Sequence, residues 1–311
     1  MKRFQNRVAE SRLALPFMAV YAAGVWLLAG LMTEQWYAQL AILFISTYLM
    51  VELNNGYALL HMYSRMVSCS FLALSSTAVF LFPSIQTSVC ILCLIMFCII
   101  IFRTYQDNAS PGTTYYAFLC LGVASTMFIQ IVFFVPFLWL MMIFYLMAFN
   151  GRMLAASLLG LITPYWLLAV PMLYFGKSHM MLLHFTGIAQ FQPLFHYQSL
   201  TLNQIVTFIF VALLALQSII HYIMKSQLDR IRTRMFYHFF IGLDILTAAF
   251  LILQPQHFNV LFGMMITCTS PMIAHFIAHT HTRLSNIVFY TMIALSILIT
   301  AFNLWMPSST F

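Results

Sequence analysis

Apolar runs of about twenty residues recur from one end of this chain to the other, and they leave few folds open. A run of that length as a helix crosses a hydrocarbon core of about 30 Å. In lipid every backbone N–H and C=O must pair internally, so a spanning segment is either a helix or part of a closed barrel. The runs lack the period-two alternation of barrel strands, which predicts helices. Charge points the same way: 6% of the residues are charged, where a soluble domain carries about 25%. The expected fold is therefore all-α, a polytopic helical membrane protein forming one integral domain over residues 1–311, with the lipid bilayer as its first partner.

Charges and turn residues divide the chain into about eleven expected transmembrane helices. They cover 13–32, 37–51, 66–82, 87–102, 154–174, 202–224, 235–253, 258–278 and 287–305, with two more from 115–149. That last stretch is too long for one crossing and is expected to bend back near residues 130–136, where Pro136 breaks the ladder. A basic tail, 1–12, precedes the first span, and 176–201 is expected to lie along the outer interface. With the N-terminus cytoplasmic and the C-terminus periplasmic, every basic residue except Lys177 falls on the cytoplasmic side, as the positive-inside rule requires. The densest charge cluster, Lys225, Asp229, Arg230, Arg232 and Arg234, anchors this arrangement. The net charge of +7 is thus assigned to loops beside anionic lipid, and nucleic acid is excluded as a partner for want of a soluble basic face. Leu31-Met32-Thr33 is no small-residue cleavage site, so the first run reads as a span and not as a leader.

Asp244 is the one carboxylate expected deep within a span. A charge there costs several kcal/mol, so it must face a cavity, find a partner or be protonated. Tyr237 and Thr247 share much of its helical face. Two readings stay open: a proton or cation relay, or a packing contact between helices. His275 and His279 stand four residues apart on one helical face, with His281 just beyond. This is the nearest approach to a metal motif, but no carboxylate accompanies it in sequence, and interfacial histidines at a helix end are the simpler reading. His184 and His196 are candidates for an outer-face substrate site. The six cysteines lie in apolar runs and read as packed thiols, Cys90 and Cys93 included. No nucleotide motif or paired catalytic group stands out, and no cofactor is expected.

Several short motifs resemble an uncharacterised family of multi-spanning inner-membrane proteins of Bacteroidota. They are Asn54-Asn55-Gly56-Tyr57 before a span ending Phe82-Pro83, Phe102-Arg103 followed by Ala109-Ser110-Pro111, the stretch from Gly122 to Pro136, Arg152 with Gly160 and Pro164, and Arg232 and Arg234 before Ser270-Pro271. The resemblance implies the inner membrane of a Gram-negative cell and no known activity. The order of Pro83, Arg103, two short helices and Arg152 is also similar in layout to GT-C polyprenol-dependent glycosyltransferases. That likeness implies an acid in the first outer loop, where Glu34 stands, although the loop is short. The expected function is non-enzymatic: transport or binding of a lipid-linked or small polar substrate, or a scaffold for other envelope proteins. The GT-C-like transferase is the alternative.

Overall fold

The computed structural model describes residues 3–176, 178–189, 197, 200–280 and 282–305. The chain is all-helical among these residues. A short helix α1 (Phe4–Glu10) turns by 91° into α2 (Ala14–Leu28). A four-residue helix α3 (Leu31–Glu34) leads to α4 (Tyr37–Tyr57), and α5 (Met66–Thr77), α6 (Ile85–Ile101) and α7 (Pro111–Met127) follow. Next comes a composite rod over 129–146, a 3₁₀ turn leading into α8 (Val135–Met141) and a closing π turn. The chain then forms α9 (Gly151–Tyr174), α10 (Ser178–Thr186), α11 (Leu202–Lys225), α12 (Ile231–Leu253), α13 (Phe258–His279) and α14 (Arg283–Trp305).

Eight of these helical stretches are long and apolar enough to cross a membrane, or nine if the bent α1–α2 pair counts as one span. The expectation of eleven is corrected to that number. Helix α2 has 15 residues, α5 has 12 and α7 has 17, and α7 opens with the polar Pro111-Gly112-Thr113-Thr114. Twelve residues rise only about 18 Å, well short of the hydrocarbon core. The expected double-back in 115–149 is present, but the chain breaks at Phe128, whose extended backbone (φ −135°, ψ 91°) ends α7. Pro136 instead sits in the first turn of α8, where its missing N–H costs nothing.

Helix α13 is the axis of the bundle. From Phe258 to Ala278 every residue but Asn259 is buried, as a helix that is apolar on all sides must be. Helices α5, α6, α11 and α12 pack around it. Ser70 Oγ of α5 donates to the Ser270 carbonyl beside Pro271 (2.8 Å), so backbone polarity inside the bundle is met by a side chain. Helices α7 and α9 form a second, tight pair through Gly122 and Gly160. A Cβ at Gly160 would stand 2.5 Å from the Tyr115 carbonyl oxygen, the close approach that small residues allow in membranes.

The turns collect at two ends with different chemistry. At one end Gln5 Nε2 donates to the Ile277 carbonyl (2.7 Å), Asn150 Nδ2 to the Asn108 carbonyl (2.8 Å), and the Arg232 guanidinium lies over the rings of Tyr57 and Tyr105. Every Lys and Arg among the described residues sits at this charged end. At the other end neutral glutamines tie the turns together: Gln39 to Pro83, Gln86 to Met127, Gln130 to Gly187 and Gln204 to Asn259. Helix α10, part of the segment expected at the outer interface, lies at this glutamine-tied end.

Candidate functional site

Of the six Asp and Glu residues, only Asp229 and Asp244 are buried, and they have different surroundings. Asp229 lies in the turn between α11 and α12, its side chain 4% exposed. Its two oxygens take two imidazoles: His61 Nε2 on Oδ1 and His275 Nε2 on Oδ2, each at 3.0 Å. Three elements distant in sequence converge here. His61 is carried by the turn after α4, Asp229 by the α11–α12 turn, and His275 and His279 by the last turns of α13.

Local sequence explains the placement. Helix α4 ends at Ala58 in the left-handed region (φ 47°). The Asn54 side chain then organises the turn, its Oδ1 accepting from Leu60 N–H (3.2 Å) and its Nδ2 donating to the Ser64 carbonyl (2.9 Å). Tyr237 Oη donates to the Leu59 carbonyl (3.3 Å), bracing the same turn from α12. On α13 the four-residue spacing brings the rings of His275 and His279 together, tilted by 48° with centroids 4.4 Å apart. Tyr222 and Tyr237 wall His275 edge-on, at 4.9 and 5.0 Å.

Asp229, His275 and His279 each offer a ligand atom, and these atoms lie within 4.8 Å of one another. No other trio of His, Cys, Asp or Glu among the described residues does so. His275 is 1% exposed, and neither its Nδ1 nor the Nε2 of His279 has a hydrogen-bond partner. Burial by itself pushes the Asp229 carboxyl up, but the hydrogen bond and charge of His275, with His279 and His61 behind it, outweigh burial and hold it below the usual carboxylate range. The carboxylate opens onto a cavity of about 850 Å³ whose wall includes His61, Gln217, His221, Lys225 and Ser285.

No protein-family model matches the chain, and neither does any curated protein or solved structure.

Asp244 lies 15 residues further along the chain from Asp229 and away from that cavity. It is 2% exposed and takes a hydrogen bond from Thr269 Oγ1 of α13 (2.8 Å). The Thr247 hydroxyl donates to the Asp244 backbone carbonyl and not to its carboxyl group (2.9 Å). Tyr237, expected to extend a stripe from Asp244, belongs instead to the wall around His275. Asn is isosteric with Asp and keeps the contact to Thr269, so Asp244→Asn is expected to change stability by less than about 1 kcal/mol. Thermal unfolding in detergent tests this, and a larger loss would show that the acid itself is needed.

Glu34 is exposed on α3, at the end opposite the described Lys and Arg residues, between Gly30 (φ 99°) and Gln35 (φ 57°). His184 Nε2 donates to the Ser125 carbonyl (3.0 Å), fastening α10 to α7. His196 and His281 lie outside the described residues. The six cysteines carry no disulfide, and all but the half-buried Cys120 are buried.

Sequence reasoning missed Asp229 and His61 as site residues. Asp229 sat in a charge cluster that reads as a solvated loop, and its partner histidines lie 168 and 46 residues away. The absent carboxylate that argued against the His275–His279 pair is present in space. One signal was legible: Asp229 is the single acid in an otherwise basic cluster.

Proposed function

We propose that this is a multi-pass protein of the bacterial inner membrane whose charged end faces the cytoplasm and binds a small polar solute, without catalysing its conversion. The observation that carries the reading is the cavity of about 850 Å³ floored by Asp229, His61 and His275 and edged by Lys225. Ionisable groups inside a membrane bundle are costly to bury. A chain with so few of them gains nothing in packing by gathering an acid, a lysine and four histidines around one void. The orientation rests on the positive-inside rule, since the described Lys and Arg residues share that end. The inner membrane is what the resemblance to Bacteroidota proteins implies.

A lipid-linked substrate is the second reading, favoured by a separate apolar cavity of about 530 Å³. It is walled by Phe17, Met66, Leu74, Ile277 and Phe289, and shares helices α13 and α14 with the polar one. Organic extraction of the purified protein, expected to release a bound polyprenyl or acyl lipid only under this reading, separates the two. The GT-C-like transferase draws no support from Glu34, which lines neither cavity.

Gln217 tests the principal reading, because it lies two turns inside α11 from Lys225 and lines the cavity. In Gln217→Cys, a membrane-impermeant maleimide is expected to label inside-out vesicles and to leave right-side-out vesicles unlabelled. The native chain serves as background for its buried thiols. Labelling only from the other side would reverse the orientation. No labelling from either side would remove the open cavity.

A further inference from the structure

We propose that Asp229, His275 and His279 ligate a divalent transition-metal ion of the zinc type at the floor of the charged-end cavity, an inference that rests on that cavity as the binding site. Two imidazoles and one carboxylate suit zinc and its first-row neighbours, whereas magnesium and calcium take oxygen ligands almost exclusively. Two atoms held about 2.1 Å from one tetrahedral ion stand roughly 3.4 Å apart. The three ligand atoms, within 4.8 Å of one another, would close by roughly 1.4 Å at most, a distance that side-chain rotation covers.

Three features distinguish this cluster from histidines gathered at a helix end. The Asp229 carboxylate is buried at the centre, its side chain 4% exposed, with an imidazole nitrogen 3.0 Å from each of its oxygens. His279 Nε2 is buried without a hydrogen-bond partner, and so is the second nitrogen of His275. Such orphaned nitrogens are uncommon in a packed interior, and an ion takes up the His279 lone pair directly. His61 holds the other Asp229 oxygen at 3.0 Å, as outer-sphere hydrogen bonds orient a ligating carboxylate. Three protein ligands leave the remaining position on the cavity side. That is the pattern of zinc sites that bind a water or a solute group as fourth ligand, and not of closed structural sites. His221, 6.0 Å from His275 between ring centroids, and Lys225 border this open side. A bound solute with an anionic or carbonyl oxygen would meet the ion and the Lys225 ammonium together.

The test uses the full-length protein in detergent, stripped with chelator and titrated with Zn²⁺ against a chromophoric competitor, then with Co²⁺ as a spectroscopic probe. One Zn²⁺ per chain is expected, with visible Co²⁺ absorption bands. His279→Gln removes a ligand but no hydrogen bond, so it is expected to fold normally and to weaken Zn²⁺ at least tenfold while abolishing the Co²⁺ bands. His61→Gln, which loses only the outer-sphere contact, is expected to retain the ion with affinity lowered by roughly 10–100-fold. Absence of stoichiometric Zn²⁺ binding in the native chain overturns the proposal and leaves a neutral hydrogen-bonded His–Asp–His junction. Unchanged binding in folded His279→Gln overturns it as well. Failure here with Gln217→Cys still labelled leaves the polar cavity standing, whereas zinc binding without that labelling removes the open cavity and keeps the ion.

Discussion

Asp229→Ala in the chelator-stripped protein is expected to lower stability by about 3 kcal/mol, the loss of two charge-assisted hydrogen bonds. His275 is nearly inaccessible and its Nδ1 has no partner. Without the carboxylate both of its ring nitrogens stand unpaired in the bundle, and the desolvation of each is uncompensated. The effect should spread beyond the pair, because Asp229 joins the turn after α4 to the end of α13. Thermal unfolding in detergent, paired with a double-mutant cycle between Asp229→Ala and His275→Gln, measures it. The two changes together should cost clearly less than the sum of the single losses. Strict additivity would mean that the contact at 3.0 Å contributes no coupling.

Gly160→Ala is the second change with a large expected effect, and its sign is set by two opposed terms. Alanine is the better helix former by about 1 kcal/mol. Its methyl group, however, would stand 2.5 Å from the Tyr115 carbonyl oxygen and 2.9 Å from the Leu119 amide nitrogen. Both are backbone atoms that no rotamer change can clear, so α7 and α9 must separate. Overpacking of this kind costs about 1–3 kcal/mol and occasionally more, and the loss of the facing contact at Gly122 adds to it. A net loss of about 2 kcal/mol is expected. Gly24→Ala supplies the contrast: nothing lies within 4 Å of a Cβ built there, and only the helix-propensity gain remains, up to about 1 kcal/mol. If both changes lowered stability equally, the close approach of α7 and α9 would not be what holds them together.

Not every polar residue of a membrane chain marks function. Asp244 and Asp229 lie on one short stretch and are both buried, yet one contacts a single threonine and the other joins two histidines beside a void. Depth in an apolar run drew attention to Asp244. Depth is one-dimensional, while the need for a carboxylate is set by what surrounds it. The histidine pair on α13 was visible because helical spacing is local. Its carboxylate was hidden because the contact spans 46 residues and two turns, and nothing in either turn requires the other.

Sequence alone determined that the chain is helical, that it lives in lipid, and that its basic residues belong on one side. Each of these follows from properties local to a run or summed over many residues: length against membrane thickness, lack of alternation, and charge at helix ends. It placed the breaks between helices to within a few residues, although helix length and polarity reduced the crossings to eight or nine. Tertiary structure alone decided that α13 is the axis, that Gly122 and Gly160 let two helices touch, and that Asp229 meets His61 and His275. In a sequence this apolar almost any helix face can pack against any other. Partners are therefore selected by a few small or polar residues, and their pairing exists only once the bundle has closed.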